Sequence, residues 1–156
     1  MININSILSN GHKILSESLI KTAKLDAEIL LSTALNRDLK EIILDNTIIL
    51  NENQINIYKD LINRRKSGEP IAYILNKKEF WKHNFYVNQN VLIPRPDTEI
   101  IIEEVLKLTK NKSNLRILDI GVGSGCILLS LLREKKNFNG VGIDISKKCI
   151  DLCSKN

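Results

Sequence analysis

The sequence predicts an α + α/β chain: a small N-terminal helical bundle, a β-hairpin linker, and then the start of a parallel-stranded α/β domain. Three observations carry this. Apolar residues recur at helical spacing within the first seventy residues. Two aromatic, β-prone runs follow between Glu79 and Val87. A strand, glycine turn, helix, strand and terminal acid then occupy Leu115 to Asp144. The expected boundaries are 1–72 for the helical domain, 73–90 for the hairpin linker and 91–156 for the partial α/β domain.

The helices come first. Ala27, Leu30, Leu31 and Ala34 follow the i, i+3, i+4, i+7 rule inside Lys24 to Leu35. Leu39 to Leu44 allows one or two further turns. Asn51 followed by Gln54 resembles a capping box, after which Ile55, Tyr58, Leu61 and Ile62 mark one apolar face. Gly68 and then Pro70 end that helix. The run Arg64-Arg65-Lys66 lies in its last turn, where cations favour the negative end of the macrodipole; an acidic-partner site is the less economical reading. Helices this short are marginal alone, so they must pack together.

Glu79-Phe80-Trp81 and Phe85-Tyr86-Val87 flank Lys82-His83-Asn84, which suggests a hairpin with His83 in its turn. Five of the seven aromatic residues fall between Tyr73 and Tyr86. They read as a packing cluster, because no RNA-binding signature accompanies them. In the next stretch Pro94 and Pro96 force Ile93 and Arg95 into extended backbone. A helix then begins near Asp97, Thr98 and Glu99, with Ile101, Ile102, Val105 and Leu106 inside. Pro-Arg-Pro-Asp-Thr-Glu is either a rigid lead-in to that helix or a wall of a ligand site.

Bulk composition excludes several classes. The chain has 156 residues, a formal charge of +5, 43% hydrophobic and 26% charged residues, an ordinary globular balance. Residues 1–90 carry 12 Lys/Arg against 10 Asp/Glu and residues 91–156 carry 11 against 8, so no basic stripe points to direct nucleic-acid binding. No apolar run has the length of a membrane span. Met1 to Ser9 lacks the basic, apolar pattern of a secretion signal, and three cysteines without framework spacing suit a reducing cytoplasm. Cys149 and Cys153 lie one helical turn apart, too few ligands for zinc, so structural thiols and no metal are expected.

The chemistry sits in Leu115 to Asp144. Leu-Arg-Ile-Leu-Asp-Ile reads as a buried strand, and Gly121-Val122-Gly123-Ser124-Gly125 leads into a helix through Ile127, Leu128, Leu131 and Leu132. After a turn at Asn137 to Gly140, Val141-Gly142-Ile143 forms a second strand ending at Asp144. Glycines allow the sharp strand-to-helix turn and a close ligand approach. An acid ending the second strand can accept both hydroxyls of an adenosine ribose. A dinucleotide site prefers Gly-x-Gly-x-x-Gly, but Cys126 occupies the third glycine position, which disfavours a nicotinamide-linked oxidoreductase. Asp119, two residues before Gly121, instead gives Asp-x-Gly-x-Gly-x-Gly, the pattern of S-adenosylmethionine methyltransferases.

With these strings in place the chain resembles the HemK/PrmC family, the glutamine methyltransferases of peptide chain release factors. The resemblance rests on Asp26 to Leu31, Arg64-Arg65, Gly68 to Ala72, Glu79-Phe80-Trp81 and, most distinctively, Leu92 to Glu99. It implies a helical domain that helps recognise the release factor, a hairpin, and a Rossmann-like class I S-adenosylmethionine-dependent methyltransferase domain. It implies that Asp119, Gly121, Val122, Gly123, Ser124, Gly125 and Asp144 bind the cofactor S-adenosylmethionine, with Pro94, Arg95, Pro96 and Thr98 bordering the active site. It further implies cytoplasmic methylation of the side-chain amide of a Gly-Gly-Gln glutamine by a protein that is monomeric at full length, touching neither nucleic acid nor membrane.

The family orients its poorly nucleophilic amide with an Asn-Pro-Pro-Tyr motif after the fourth strand. The prolines here are Pro70, Pro94 and Pro96, none preceded by Asn or Pro, so no catalytic residue is assigned. The expectation is an inactive fragment, the first two-thirds of a longer product, whose two strands leave an unpaired apolar edge. The alternative is a non-catalytic module binding the release factor or a nucleotide.

Overall fold

A computed structural model describes residues 2–45 and 47–156. They form two compact units, the first ending at Leu75 and the second spanning Asn76–Asn156.

The first unit is built on helices. A two-residue strand, β1 (Ile2–Asn3), pairs antiparallel with β2 (Ile49–Leu50). The Asn3 side chain accepts the Asn5 N–H and caps α1 (Ile4–Glu17), which buries Ile4, Ile7, Gly11 and Leu15 along one stripe. Helix α2 (Ala23–Leu35) is the central element and ends at Asn36 in a left-handed conformation. Helix α3 (Leu39–Leu44) is capped by Asp38. Before α4 (Glu52–Lys66), the Asn51 side chain accepts the Gln54 N–H at 2.9 Å, and the Gln54 side chain accepts the Asn51 N–H at 3.0 Å. The capping box expected from the sequence is therefore present. Gly68 adopts φ +92° beyond α4, and Pro70 precedes the single turn α5 (Ile71–Ile74).

Packing in this unit has two local features. Tyr58 lies over Gly11, where a Cβ would sit 2.0 Å from the tyrosine hydroxyl, so only glycine fits there. Asp26, 5% exposed, accepts from Arg65 Nε at 2.7 Å and from the Thr22 hydroxyl at 2.9 Å. Arg64 makes two bonds to Glu69, at 2.8 and 2.6 Å. The two arginines do lie in the last turn of α4, but specific carboxylates hold them.

In the second unit, β3 (Lys77–Phe80) and β4 (His83–Tyr86) form the hairpin, with Phe80 opposite His83. The turn is thus Trp81-Lys82, one residue earlier than the sequence suggested, and His83 belongs to a strand. Trp81 can hold the turn at φ +56° because its N–H reaches the Glu99 carboxylate. A short 3₁₀ turn (Pro96–Thr98) leads into α6 (Glu99–Leu108), which buries only Ile102 fully. Ile101 is exposed, contrary to expectation, because α6 lays only a narrow stripe on its neighbours.

Strand β5 (Arg116–Ile120), helix α7 (Cys126–Glu134), strand β6 (Asn139–Ile143) and helix α8 (Lys147–Cys153) complete the unit. The strands pair in parallel from Arg116 opposite Asn139 to Ile120 opposite Ile143. Helix α7 and the loop before it cover one face so closely that a Cβ on Gly140 would meet Leu128, and one on Gly142 would meet Val122, each at 2.6 Å. On the other face Leu118, Ile120, Val141 and Ile143 are exposed. The expectation that β5 is buried does not hold: Ile117 and Asp119 are only half-buried on the covered face, and the described residues put nothing over the other. Among the described residues no helix is long and apolar enough to cross a membrane, and no group of His, Cys, Asp and Glu could hold a metal ion.

Candidate functional site

The turn from β5 to α7 is made by three glycines with positive φ: Gly121 at +83°, Gly123 at +53° and Gly125 at +81°. A Cβ on Gly121 would meet nothing within 4 Å, and one on Gly123 only a carbonyl at 3.9 Å. These two glycines face open space, so conformation and ligand access explain them. Gly125 differs: a Cβ there would strike Cys153 Sγ at 2.6 Å, so close packing explains it.

The loop is tied to the end of β6. The Ile143 carbonyl accepts from Gly121 N at 2.8 Å and Val122 N at 2.9 Å. Asp144, the next residue, accepts from Gly123 N at 3.0 Å through one carboxylate oxygen and from Ser146 N at 2.9 Å through the other. The Ser146 N–H first, and then the Gly123 N–H, hold the Asp144 carboxyl below the usual carboxylate range.

Asp119 lies on the covered side of β5. Burial pushes its carboxyl upward; a bond from the Leu128 N–H opposes this, and the charge of Asp144 adds to it. Two carboxylates that feel each other, beside a glycine loop, form a negative site that favours a cation-bearing ligand.

A cleft of about 150 Å³ opens over the loop. Pro94, Arg95 and Thr98 line one side; Asp119, Gly121, Val122, Gly123 and Ser124 line the other. Of the residues singled out from sequence, Pro96, Gly125 and Asp144 do not line it. Pro96 starts the 3₁₀ turn, Gly125 is buried under Cys153 and Leu129, and Asp144 is bonded to the loop. A volume of 150 Å³ is below the roughly 300–1,000 Å³ of small-molecule sites, so these elements supply part of a site.

The donor set suits S-adenosylmethionine, which carries a sulfonium and an ammonium charge. Asp119 offers an anion to the positive end, the open glycines admit a close approach, and Asp144 offers acceptors at the sheet edge.

Sequence reasoning missed the residues that hold this region together. Glu134 accepts from the Trp81 indole and from Lys82, each at 2.7 Å, and these bonds, that from Lys82 foremost, lower its pKa. Asn156 bonds both β4 and the glycine loop. No spacing rule links positions 70 or 32 residues apart. Cys149 gives its thiol to the Asn90 carbonyl at 3.2 Å.

Residues 6–75 match the PrmC N-terminal domain, and residues 95–156 match a family described as methionine biosynthesis protein MetW. A release factor glutamine methyltransferase of Leptospira interrogans is 39% identical over 155 residues, covering 99% of this chain and 54% of the relative. One from Buchnera aphidicola (subspecies Baizongia pistaciae) is 42% identical over 152 residues, covering 96% and 55%. A bifunctional methyltransferase of Rickettsia prowazekii is 36% identical over 172 residues, covering 99% and 33%. The chain thus spans about half the length of the first two relatives, less than the two-thirds expected from sequence. A match to the PrmC N-terminal domain over residues 6–75, a glycine-loop unit behind it and about 40% identity along nearly the whole chain make this chain similar to the first half of release factor glutamine methyltransferases.

Proposed function

We propose that this chain carries the release-factor recognition domain and the first part of the S-adenosylmethionine site of a release factor glutamine methyltransferase. The observation that carries the reading is one cleft bringing Pro94, Arg95 and Thr98 together with Asp119 and the loop Gly121–Ser124. When bound, S-adenosylmethionine supplies an electrophilic sulfonium methyl group. Asp119 faces the cationic end, the loop wraps the methionine part, and Asp144 exchanges its bond to Gly123 for the ribose hydroxyls. Pro94, Arg95 and Thr98 form the wall beside which the Gly-Gly-Gln glutamine of a release factor enters, and Pro96 starts the turn behind them.

An amide nitrogen attacks a sulfonium methyl only when held in line with it. The acceptors that would hold it, in Asn-Pro-Pro-Tyr, do not occur in this sequence. The chain by itself therefore binds without turnover. That missing motif also favours the second reading, a non-catalytic module for a release factor or a nucleotide.

Both readings are tested by incubating the chain with a bacterial release factor and methyl-labelled S-adenosylmethionine while measuring release-factor binding separately. Binding of the release factor without label transfer is expected. Label on the Gly-Gly-Gln glutamine would overturn the assignment of inactivity, and no release-factor binding would overturn the recognition role.

A further inference from the structure

A loop with three glycines at positive φ has much backbone freedom to lose, so a loop ready for a ligand must be held in place by its surroundings. Two of its peptide planes are held at both ends. In the first, the Val122 carbonyl accepts from Gly125 N at 2.8 Å, and Gly123 N donates to Asp144. In the second, Gly125 N makes that same bond to Val122, and the Ser124 carbonyl accepts from the side-chain amide of Asn156 at 2.9 Å.

Asn156 lies two residues beyond the α8 cap, Ser154. Its Oδ1 accepts from Tyr86 N at 2.6 Å, and its Nδ2 donates to the Tyr86 carbonyl at 3.1 Å as well as to Ser124. One side chain thereby pairs with β4 as a neighbouring strand would and fixes the loop. Ser124 is 3% exposed, so its carbonyl has little recourse to water if that donor is lost.

We propose that Asn156 is a positioning residue of the glycine loop, its side-chain amide pinning the Ser124–Gly125 peptide to β4 so that the Gly123–Ser124 peptide is presented to the ligand. This deepens the reading of the loop as the S-adenosylmethionine site and rests on it for its functional meaning.

The test is residue-resolved amide exchange by NMR on the whole chain, comparing the wild type with Asn156→Asp, Asn156→Ala and Lys155→Ala. Asn156→Asp keeps the acceptor for Tyr86 N but loses the donor to the Ser124 and Tyr86 carbonyls. Exchange at Gly125 is expected to rise at least tenfold in Asn156→Asp while Tyr86 stays protected. In Asn156→Ala both amides are expected to speed up. Lys155→Ala removes only a cation lying 5.7 Å from the Tyr86 ring and should change neither. Unchanged exchange at Gly125 in Asn156→Asp, or Gly125 and Tyr86 speeding up together in that variant, would overturn the proposal, because the side chain would then merely dock the chain end on β4. If Asn156→Ala also loses protection at Leu131 and Ile143, it has unfolded, and Asn156→Asp decides. Titrating wild type with S-adenosylhomocysteine separates the two claims: no loop shifts, with the Asn156→Asp effect intact, would remove the ligand and leave the anchor.

Discussion

Asp144 Oδ2 accepts the N–H of Gly123 at 3.0 Å, joining the acid that ends β6 to the turn that follows β5. The two residues are 21 apart in sequence, and the parallel pairing of Ile120 with Ile143 brings them together. Backbone register at the sheet edge thus fixes the glycine loop against the acid.

Asp119 carries a stability cost that a cationic ligand would relieve. Its carboxyl is raised in the folded state, chiefly by burial, so its unfavourable contribution is absent at low pH and grows as pH rises through the carboxylate range. Asp119→Asn keeps an acceptor for the Leu128 N–H and should raise the melting temperature at pH 7 by about 1–2 °C. Melting curves at several pH values should show that advantage vanishing below about pH 4, where the wild-type carboxyl is protonated as well. The same variant should bind S-adenosylmethionine more weakly.

Arg65 and Asp26 form the most enclosed ion pair of the first unit, between α4 and α2. Arg65→Ala leaves the Asp26 carboxylate, among the described residues, with the Thr22 hydroxyl and should cost about 3 kcal/mol in urea unfolding. Arg64→Ala, which opens the more exposed pair with Glu69, should cost about 1 kcal/mol or less.

Gly11 reverses the usual helix rule. Alanine in a helix interior normally gains up to about 1 kcal/mol over glycine. Here the added Cβ meets the Tyr58 hydroxyl and ring, so Gly11→Ala should destabilise. Tyr58→Phe removes a buried hydroxyl that lacks a partner among the described residues and should be neutral or stabilising by up to about 1 kcal/mol. In a double-mutant cycle, Tyr58→Phe should recover part of the loss from Gly11→Ala.

Much of the fold was legible because it is written in local chemistry. Asn51 and Gln54 form the reciprocal cap that their spacing announces, and Gly68 with Pro70 ends α4 as expected. The glycine positions and the acid nineteen residues beyond Gly125 likewise follow a local strand–turn–helix–strand logic. Long-range features were not legible. Helix α1 is interrupted in pattern by Gly11, whose reason is Tyr58, 47 residues away. The hairpin turn is bonded to Glu99 and the glycine loop to Asn156, both distant in sequence. The exposed face of β5 reads as buried because Leu118 and Ile120 are apolar, and a local pattern does not reveal what covers them.

That face has a measurable consequence. Ile120 is 76% exposed, and Leu118, Val141 and Ile143 lie beside it on the two strands. In dilute monomer, amides of residues 115–156 should exchange faster than those of 20–70, and at higher concentration the chain should self-associate. Ile120→Lys with Val141→Lys should abolish the association seen in sedimentation without changing the circular dichroism spectrum. Uniform protection in a monomer would contradict this.

S-adenosylmethionine is expected at the loop Gly121–Gly125 and Asp144. The direct measurement is a titration of the isotopically labelled chain with that compound, followed residue by residue and repeated with Asp144→Ala. With only part of a site present, weak binding is predicted, its shifts concentrated at Gly121 to Gly125, Asp119 and Asp144 and lost in the variant. Shifts elsewhere, none at all, or a response unaffected by Asp144→Ala would contradict binding at this loop.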